Sequence, residues 1–226
     1  MAKRGVIIVA GGMGSRMHSA IPKQFLMLGG MPVLARTINL FAEALPSSDI
    51  VVVLPEAYIA LWHNLAARFD IAPHRTVAGG KERFHSVRCG IEALGSEVEY
   101  IAVHDAVRAL ATKRLVIRAM LDAEKSGATI PVIEVSDSYR AMEDDGGSHI
   151  VPRSRLRIVQ TPQIFSAPLL RSAFEQPYTP SFSDDASVVE AMGKRISLVE
   201  GERSNIKLTT PEDMVYAEWL LLRVEE

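Results

Sequence analysis

The sequence predicts an α/β fold with a mostly parallel central sheet. Short runs of apolar, often β-branched residues recur along the chain, and segments with helical spacing of apolar residues separate them. Runs without polar alternation are typical of strands that are covered on both faces. Their alternation with helices favours parallel strands joined by right-handed crossovers. A chain of 226 residues has the length of one such domain, so we expect a single domain over residues 1–226.

The predicted elements follow one another in a regular order. The first strands are expected at residues 6–9, 50–54, 76–78, 100–103 and 129–133. The helices between them are expected at residues 33–44, 56–69, 86–94 and 113–126, the last with Thr112 as its N-cap. The remaining elements are a strand at 158–160, helices near 167–175 and 185–192, a strand at 195–199 and a closing helix from Pro211. Asp184 and Asp185 are most simply interpreted as caps of the helix that they precede.

Residues 134–157 interrupt this order and predict a β-hairpin arm. Two alternating segments flank an Asp-Gly-Gly sequence at residues 145–147, a typical hairpin signal. A protruding hairpin cannot bury itself, so we expect this arm to pack on a second subunit; the alternative is a mobile surface excursion. Three arginines stand at alternate positions of the returning segment, Arg153, Arg155 and Arg157. On a strand they would share one face, which suits either a phosphate or the protection of a solvated edge.

The composition excludes several classes of protein. Lys and Arg number 25 against 27 Asp and Glu, a net charge of -2, so no general positive field attracts nucleic acid or a membrane surface. No apolar run approaches the roughly 18 residues that a membrane span needs. The single Cys89 cannot form an intramolecular disulfide, and the first residues lead into a strand rather than an apolar signal region. We therefore expect a cytoplasmic protein, with Cys89 packed in a helix rather than acting as a nucleophile.

A glycine-rich loop with two cations follows the first predicted strand. Its glycines are Gly11, Gly12 and Gly14. They remove side chains where the backbone turns, so that its amides can point at phosphate oxygens, and Arg16 and Lys23 add positive charge. A P-loop needs a lysine directly after the glycines, and a dinucleotide-binding loop needs a small residue where Met17 stands, so neither fits. A tight turn has no need of two spaced cations, so the loop predicts binding of a nucleoside triphosphate.

Further charged residues stand near other strand ends. Asp105 follows the strand at 100–103, and Arg108 comes one turn later. Asp105 is a candidate to support a metal or a substrate hydroxyl, with a simple turn cap as the alternative. His104 is interpreted as a hydrogen-bonded structural residue, and Lys207 as a catalytic candidate or a solvated surface lysine. Cations in these places suit attack on an α-phosphorus, because negative charge gathers on the phosphate oxygens in the transition state.

Five ordered sequence blocks together resemble the 2-C-methyl-D-erythritol 4-phosphate cytidylyltransferase family. The blocks are residues 10–17 with 22–24, residues 79–80 with 82–83 and 86–87, residues 103–106 with Arg108, residues 161–163, and residues 205–207 with Thr209 and 211–213. The family joins methylerythritol phosphate to CMP from CTP in the non-mevalonate isoprenoid pathway. The resemblance implies a three-layer, Rossmann-like sheet of the nucleotide-diphospho-sugar transferase type with a protruding β-hairpin arm. It also implies Mg²⁺ dependence and a homodimer in which the 134–157 arms interlock.

The resemblance assigns roles to named residues. The catalytic residues would be Arg16, Lys23 and Lys207. The nucleotide-binding residues would be Ala10, Gly11, Gly12 and Gly14, with Gly80, Ser86 and Ala106 around cytosine and ribose. The acceptor-binding residues would be Asp105, Arg108, Ser138, Arg153 and Thr161, of which Arg153 and Thr161 would complete a site shared across subunits. Mg²⁺ would be bound mainly through the CTP phosphates, without a certain protein ligand.

The sequence departs from the family pattern at four positions. Val107 and Ala109 replace the Ala and Pro of the usual His-Asp-Ala-Ala-Arg-Pro, Lys81 stands where many members have Asp, and Ser138 replaces a Thr while keeping the hydroxyl. Ribitol-5-phosphate cytidylyltransferases share the fold and most loop motifs, so they remain an alternative. A non-catalytic nucleotide-binding scaffold is a second one. The joint presence of Arg16, Lys23 and Lys207 argues against the scaffold, because a binder does not need cations that act on a transition state.

Overall fold

The computed structural model describes residues 2–12 and 21–224, and its strands and helices alternate through most of the chain. The strands are β1 (Arg4–Val9), β2 (Met27–Leu28), β3 (Met31–Pro32), β4 (Asp49–Leu54), β5 (Arg75–Ala78), β6 (Tyr100–Asp105), β7 (Ala128–Glu134), β8 (Tyr139–Met142), β9 (Ser148–Val151), β10 (Arg157–Val159), β11 (Gln163–Ser166) and β12 (Ser197–Glu200). The α-helices are α1 (Val33–Ala44), α2 (Ile59–Ala66), α3 (Arg83–Ala93), α4 (Lys113–Ser126), α5 (Ala167–Ala173), α6 (Asp185–Glu190) and α7 (Pro211–Val224). Within the described residues, short 3₁₀ helices lie at Lys23–Phe25, Glu56–Tyr58 and Arg153–Arg155.

The central sheet is mostly parallel, as predicted. Its strands run in the order β10-β7-β11-β6-β1-β4-β5, and β12 pairs with β7. Strands β6, β1, β4 and β5 are mutually parallel, and so are β7 and β12. Strand β11 was not predicted; it is antiparallel to both β6 and β7 and fills the space between them. It is four residues long and follows Pro162 directly, so it lacks the long apolar run that marked the other buried strands.

Two hydrophobic cores lie on opposite faces of this sheet and make the fold three-layered. Successive side chains of a strand point to opposite faces, so Val6 and Ile8 pack on one side and Ile7 on the other. The first core includes residues of α1 and α4, among them Phe41. The second core includes residues of α3, α5 and α6, among them Leu170. Burial of β1 on both faces explains why its sequence shows no polar alternation.

Two N-caps that the sequence predicts are present in the structure. The Thr112 hydroxyl accepts a hydrogen bond from the Leu115 amide at 3.1 Å and starts α4 where it was predicted. The Asp184 carboxylate accepts from the Ser187 amide at 2.9 Å in a capping box at the start of α6. The predicted helix at 56–69 is instead divided into a 3₁₀ turn and the shorter α2. None of the helices in the described part of the chain is long and apolar enough to cross a membrane.

The predicted hairpin is present as β8 and β9, which pair antiparallel. Met142 and Ile150 lie on one face of it, because Arg140 pairs with Ile150 and side chains alternate along a strand. These two apolar side chains are 73% and 66% exposed. The prediction of an arginine strip on a single strand is wrong, since Arg153–Arg155 forms a 3₁₀ turn and only Arg157 belongs to β10. The turn begins after Pro152, which cannot continue the ladder as a donor.

Candidate active site

A cleft of about 440 Å³ lies beyond the carboxyl ends of the parallel strands. Segments that follow β1, β4, β5 and β6 form its walls, as expected for a ligand site of an open α/β sheet. Its lining comprises Val9, Ala10, Gly11, Gly12, Lys23, Gln24, Pro55, Glu56, Gly79, Gly80, Lys81, Glu82, Arg83, Ser86, Asp105, Val107 and Lys207. The predicted residues Gly14 and Arg16 lie outside the described residues. The structure therefore brings most of the predicted nucleotide-binding residues to one cleft.

The Pro-Lys-Gln segment is anchored to the start of the glycine loop. Gln24 donates a side-chain hydrogen bond to the carbonyl oxygen of Ala10 at 2.8 Å. Lys23 is only 8% exposed, and its ammonium donates to the carbonyl oxygen of Leu208 at 2.9 Å. A Cβ added to Gly12 would lie 3.7 Å from Lys23 Cε, so the lysine stem runs close beneath the loop. The cleft thus has a fixed positive charge beside the glycine backbone.

The opposite wall of the cleft depends on two adjacent glycines. A Cβ at Gly79 would lie 2.8 Å from Ser86 Oγ, and a Cβ at Gly80 would collide with the Cβ of His85. The glycines therefore allow the loop to pack closely against the start of α3. The Ser86 hydroxyl donates to the carbonyl oxygen of Gly80 at 3.3 Å or of Glu82 at 3.2 Å, at the cleft surface.

Ala106 has a different environment from the other predicted nucleotide-binding residues. It is fully buried, its amide donates to the Val9 carbonyl oxygen at 3.0 Å, and its carbonyl oxygen accepts from the Thr37 hydroxyl at 2.8 Å. Among the described residues, the lining of the cleft does not include it. Ala106 therefore joins β6 to β1 and α1, and the structure does not bring its side chain to the site.

Asp105 is held among three cations. Its Oδ2 lies 2.9 Å from Lys207 Nζ and 3.6 Å from Arg108 Nε, and its Oδ1 lies 3.5 Å from Arg83 Nε. Burial alone would raise the pKa of this carboxyl group, but the positive charges of Arg83, Lys207 and Arg108 outweigh burial and hold the pKa well below its ordinary value. Asp105 is therefore ionised throughout the neutral range.

A second chamber of about 280 Å³ adjoins the cleft. Its lining includes Arg108 and Thr161, both predicted acceptor-binding residues. Asp105, Arg83 and Lys207 line both chambers and stand between them. Two ligand spaces that meet at a carboxylate and its cations suit a reaction between two phosphorylated substrates.

A buried hydrogen-bond chain fixes the backbone of Asp105. Burial lowers the pKa of His104 to about 4, although Asp105 opposes this shift, so the imidazole is neutral at neutral pH. Its Nε2 lies 3.2 Å from the Arg108 carbonyl oxygen, which can only accept, so Nε2 carries the hydrogen. Nδ1 then accepts from the Thr161 hydroxyl at 3.0 Å, and that hydroxyl accepts from the Asp105 amide at 3.1 Å. His104 is the hydrogen-bonded structural residue that the sequence predicted.

The arm residues lie apart from this site. Ser138 is exposed on the segment that leads into β8, and the Arg153 guanidinium donates to the Ser136 carbonyl oxygen at 2.6 Å. Neither residue belongs to the described lining of the cleft or of the second chamber. Within one chain, the structure therefore does not join Ser138 and Arg153 to Asp105.

Comparison with known proteins identifies the family. Residues 5–223 match the family model described as 2-C-methyl-D-erythritol 4-phosphate cytidylyltransferase. The chain belongs to this family. The cytidylyltransferase of that name from Phocaeicola vulgatus is 46% identical over 219 residues, which are 96% of this chain and 99% of the relative. The one from Bacteroides fragilis is 46% identical over 220 residues, with 96% and 99% covered.

Solved structures of cytidylyltransferases have the same fold. The crystal structure of 2-C-methyl-D-erythritol 4-phosphate cytidylyltransferase from Thermus thermophilus is 33% identical, with a TM-score of 0.75 and 97% and 98% of the two chains covered. The structure of 4-diphosphocytidyl-2C-methyl-D-erythritol synthase from Anaerococcus prevotii is 27% identical, with a TM-score of 0.84 and 98% and 97% covered. The predicted family and fold type are confirmed.

Sequence reasoning missed one ion pair at the centre of this cytidylyltransferase site. The Arg83 guanidinium donates two hydrogen bonds to Asp185, at 2.8 Å to Oδ1 and 2.7 Å to Oδ2. Asp185 was interpreted as a helix cap, a role that Asp184 alone performs. Arg83 stands in a recognised block, but its partner is 102 residues away in sequence, and no local signal joins the two.

The described part of the cytidylyltransferase site offers few protein ligands to a metal ion. Within residues 2–12 and 21–224, no three His, Cys, Asp or Glu side chains are grouped so that they could hold a metal. The carboxylates that line the cleft are Glu56, Glu82 and Asp105, and both oxygens of Asp105 face cations. This donor set fits Mg²⁺ that is carried mainly by substrate phosphates rather than held in a protein cage.

Proposed function

We propose that this chain transfers the cytidylyl group of CTP to 2-C-methyl-D-erythritol 4-phosphate, giving the CDP-linked alcohol and pyrophosphate. One observation supports this most directly: Asp105, Arg83 and Lys207 stand between a glycine-walled cleft and a second chamber. The cleft has the features of a nucleotide site, and the second chamber is lined by residues that the family resemblance assigns to the acceptor. Family membership names the two substrates.

The proposed reaction is an in-line displacement. A phosphate oxygen of the acceptor attacks the α-phosphorus of CTP, a new P–O bond forms, and the bond to pyrophosphate breaks with the electron pair leaving on pyrophosphate. Negative charge gathers on the non-bridging and leaving oxygens, so fixed cations lower the barrier. We assign this role to Lys23 on the glycine-loop side and to Lys207 between the chambers, with Arg16 as the third cation.

Binding of CTP is assigned to the walls of the cleft. The amides of Gly11, Gly12 and Gly14 would face the phosphates, as backbone nests do in other phosphate sites. Gly80 and Ser86 would contact the base and ribose, where backbone groups and one hydroxyl suffice to distinguish a pyrimidine. Mg²⁺ would arrive with CTP and neutralise phosphate charge there.

The acceptor is assigned to the second chamber and completed by another subunit. Asp105 would accept a hydrogen bond from an acceptor hydroxyl, and Arg108 and Thr161 would help to position the acceptor. We also infer that the protein is a homodimer, in which Ser138 and Arg153 of one arm reach the second chamber of the partner subunit. The exposed side chains of Met142 and Ile150 on the arm support this inference, because exposed apolar side chains are stabilised when a second subunit covers them. We also propose a cytoplasmic location, because a chain with a single cysteine forms no internal disulfide and suits a reducing compartment.

Pyrophosphate release by the purified chain tests this function. The reaction contains Mg²⁺ and CTP with either methylerythritol phosphate or ribitol 5-phosphate, and UTP and ATP replace CTP as controls. Release with CTP and methylerythritol phosphate alone is expected. Release with ribitol 5-phosphate alone would contradict the assigned acceptor. If neither acceptor gives pyrophosphate release, the result would favour a non-catalytic nucleotide-binding scaffold.

A further inference from the structure

Asp105 has three cationic neighbours, and they differ in what else they bind. Lys207 is 48% exposed and is joined to Asp105 by a single contact at 2.9 Å. The Arg108 guanidinium is held by backbone, since Nη1 donates to the Asn205 carbonyl oxygen at 2.8 Å. Arg83 forms a bidentate ion pair with Asp185. Lys207 is therefore the cation that can leave Asp105 most easily for an incoming phosphate, whereas the two arginines are fixed.

Arg83 is a bridge between two carboxylates. Both of its terminal nitrogens bind Asp185, and only Nε faces Asp105, at 3.5 Å. A guanidinium whose terminal nitrogens are already occupied is a poor ligand for a substrate phosphate but a rigid support for a neighbouring carboxylate. Asp185 itself lies outside both chambers, and its side chain is 1% exposed. Among the described contacts, Arg83 is the residue that joins the Asp185 side chain to Asp105.

We propose that Asp185 and Arg83 form a positioning pair that keeps the Asp105 carboxylate in place between the two chambers while Lys207 exchanges from Asp105 to a substrate phosphate. This inference rests on the proposed function. Stability alone is a weak explanation of the pair, because buried ion pairs are often replaceable by apolar residues without loss of stability. Asp185 is a positioning residue, and Arg83 transmits its effect.

The test compares two substitutions at the start of α6. Asp185→Asn removes the charge that holds Arg83 and nearly preserves the shape of the side chain. Ser187→Ala is the matched control, because Ser187 belongs to the capping box of the same helix but contacts neither Arg83 nor Asp105 among the described hydrogen bonds. Both proteins are checked for folding by thermal melting. Pyrophosphate release then gives kcat and the KM of each substrate.

Asp185→Asn is expected to lower kcat/KM for methylerythritol phosphate by about 10-fold to 100-fold, because a small displacement of Asp105 misaligns the acceptor. The KM for CTP is expected to change less than about twofold. Ser187→Ala is expected to retain the wild-type values. An unchanged kcat/KM in Asp185→Asn, or an equal loss in Ser187→Ala, would overturn the inference. If Asp185→Asn does not fold, Arg83→Lys serves instead, because an ammonium pairs with Asp185 but does not reach both carboxylates; the same acceptor defect is expected.

Crystal structures of the two variants separate this inference from the proposed function. A wild-type protein that releases no pyrophosphate would refute the function, but the positioning role still predicts a change in geometry. The contact of 3.5 Å between Arg83 Nε and Asp105 Oδ1 is expected to be lost in Asp185→Asn and kept in Ser187→Ala. A contact that survives in Asp185→Asn would overturn the inference whatever the activity.

Discussion

The Lys23 ammonium donates a hydrogen bond to the carbonyl oxygen of Leu208 at 2.9 Å, which connects the beginning of the chain to the segment that carries Lys207. Lys23 is almost fully buried, so this bond lies in the interior of the protein. Two lysines far apart in sequence therefore occupy adjoining parts of one cleft.

Lys23→Ala is expected to lower kcat by about 10²-fold to 10⁴-fold, because it removes a fixed charge from the transition state of phosphoryl transfer. Pyrophosphate release measures this loss, and circular dichroism shows whether the variant folds. Lys113→Ala is the matched control, since Lys113 pairs with Glu43 on an exposed surface. A folded Lys23→Ala enzyme with normal kcat would exclude Lys23 from the mechanism.

Arg153→Ala is expected to raise the KM for methylerythritol phosphate by about tenfold or more, with the KM for CTP nearly unchanged, because a charge-assisted contact to a phosphate would be lost. Arg155→Ala removes a neighbouring arginine of the same 3₁₀ turn and serves as the control. Steady-state kinetics with each substrate varied in turn provide the measurement. An unaltered KM for the acceptor would mean that Arg153 does not reach the partner's chamber.

Deletion of residues 137–152 is expected to produce monomers, because it removes the hairpin that is proposed to hold two subunits together. Light scattering coupled to gel filtration measures the mass. The double variant Met142→Glu, Ile150→Glu tests the same interface without a deletion, since it replaces two exposed apolar side chains of an intact hairpin by charges. A dimer that persists in both variants would refute the interlocking arm.

The unfolding free energy is expected to fall as the pH is lowered from about 6.5 towards 4, because of His104. The pKa of His104 is about 4 in the folded chain and about 6.5 in the unfolded chain, so in this range only the unfolded state takes up the proton. The difference corresponds to about 3 kcal/mol of stability that is present above pH 6.5. Urea denaturation at several pH values measures this dependence.

His104→Gln is expected to show a flatter pH dependence than the wild type, since glutamine offers a donor and an acceptor but does not titrate. His149→Gln is the matched control, because His149 lies exposed on the arm beside Glu143. A slope that is identical in the wild type and in His104→Gln would show that His104 is not the responsible group.

Local patterns predicted the elements that have a strong signature of their own. The apolar run of β1 and the helical spacing with a Thr112 cap of α4 specify these elements within a few residues of sequence. Strand β11 was missed because its four residues carry no such signature; β6 and β7 supply its pairing from both sides. The 3₁₀ turn at Arg153–Arg155 was missed for a related reason, since alternate charges are equally consistent with a strand.

The sequence by itself determined the class of fold, the glycine loop with its cations, and the family, because each depends on residues that stand close together or in a fixed order. Only the tertiary structure decided which charges meet. In the tertiary structure Lys207 and Arg83 form ion pairs with Asp105, and Arg83 also pairs with Asp185. Ala106 is buried in the core. Ion pairs and hydrogen bonds act over a few ångströms, and the chain segments that meet at this distance are chosen by the packing of the sheet and its helices.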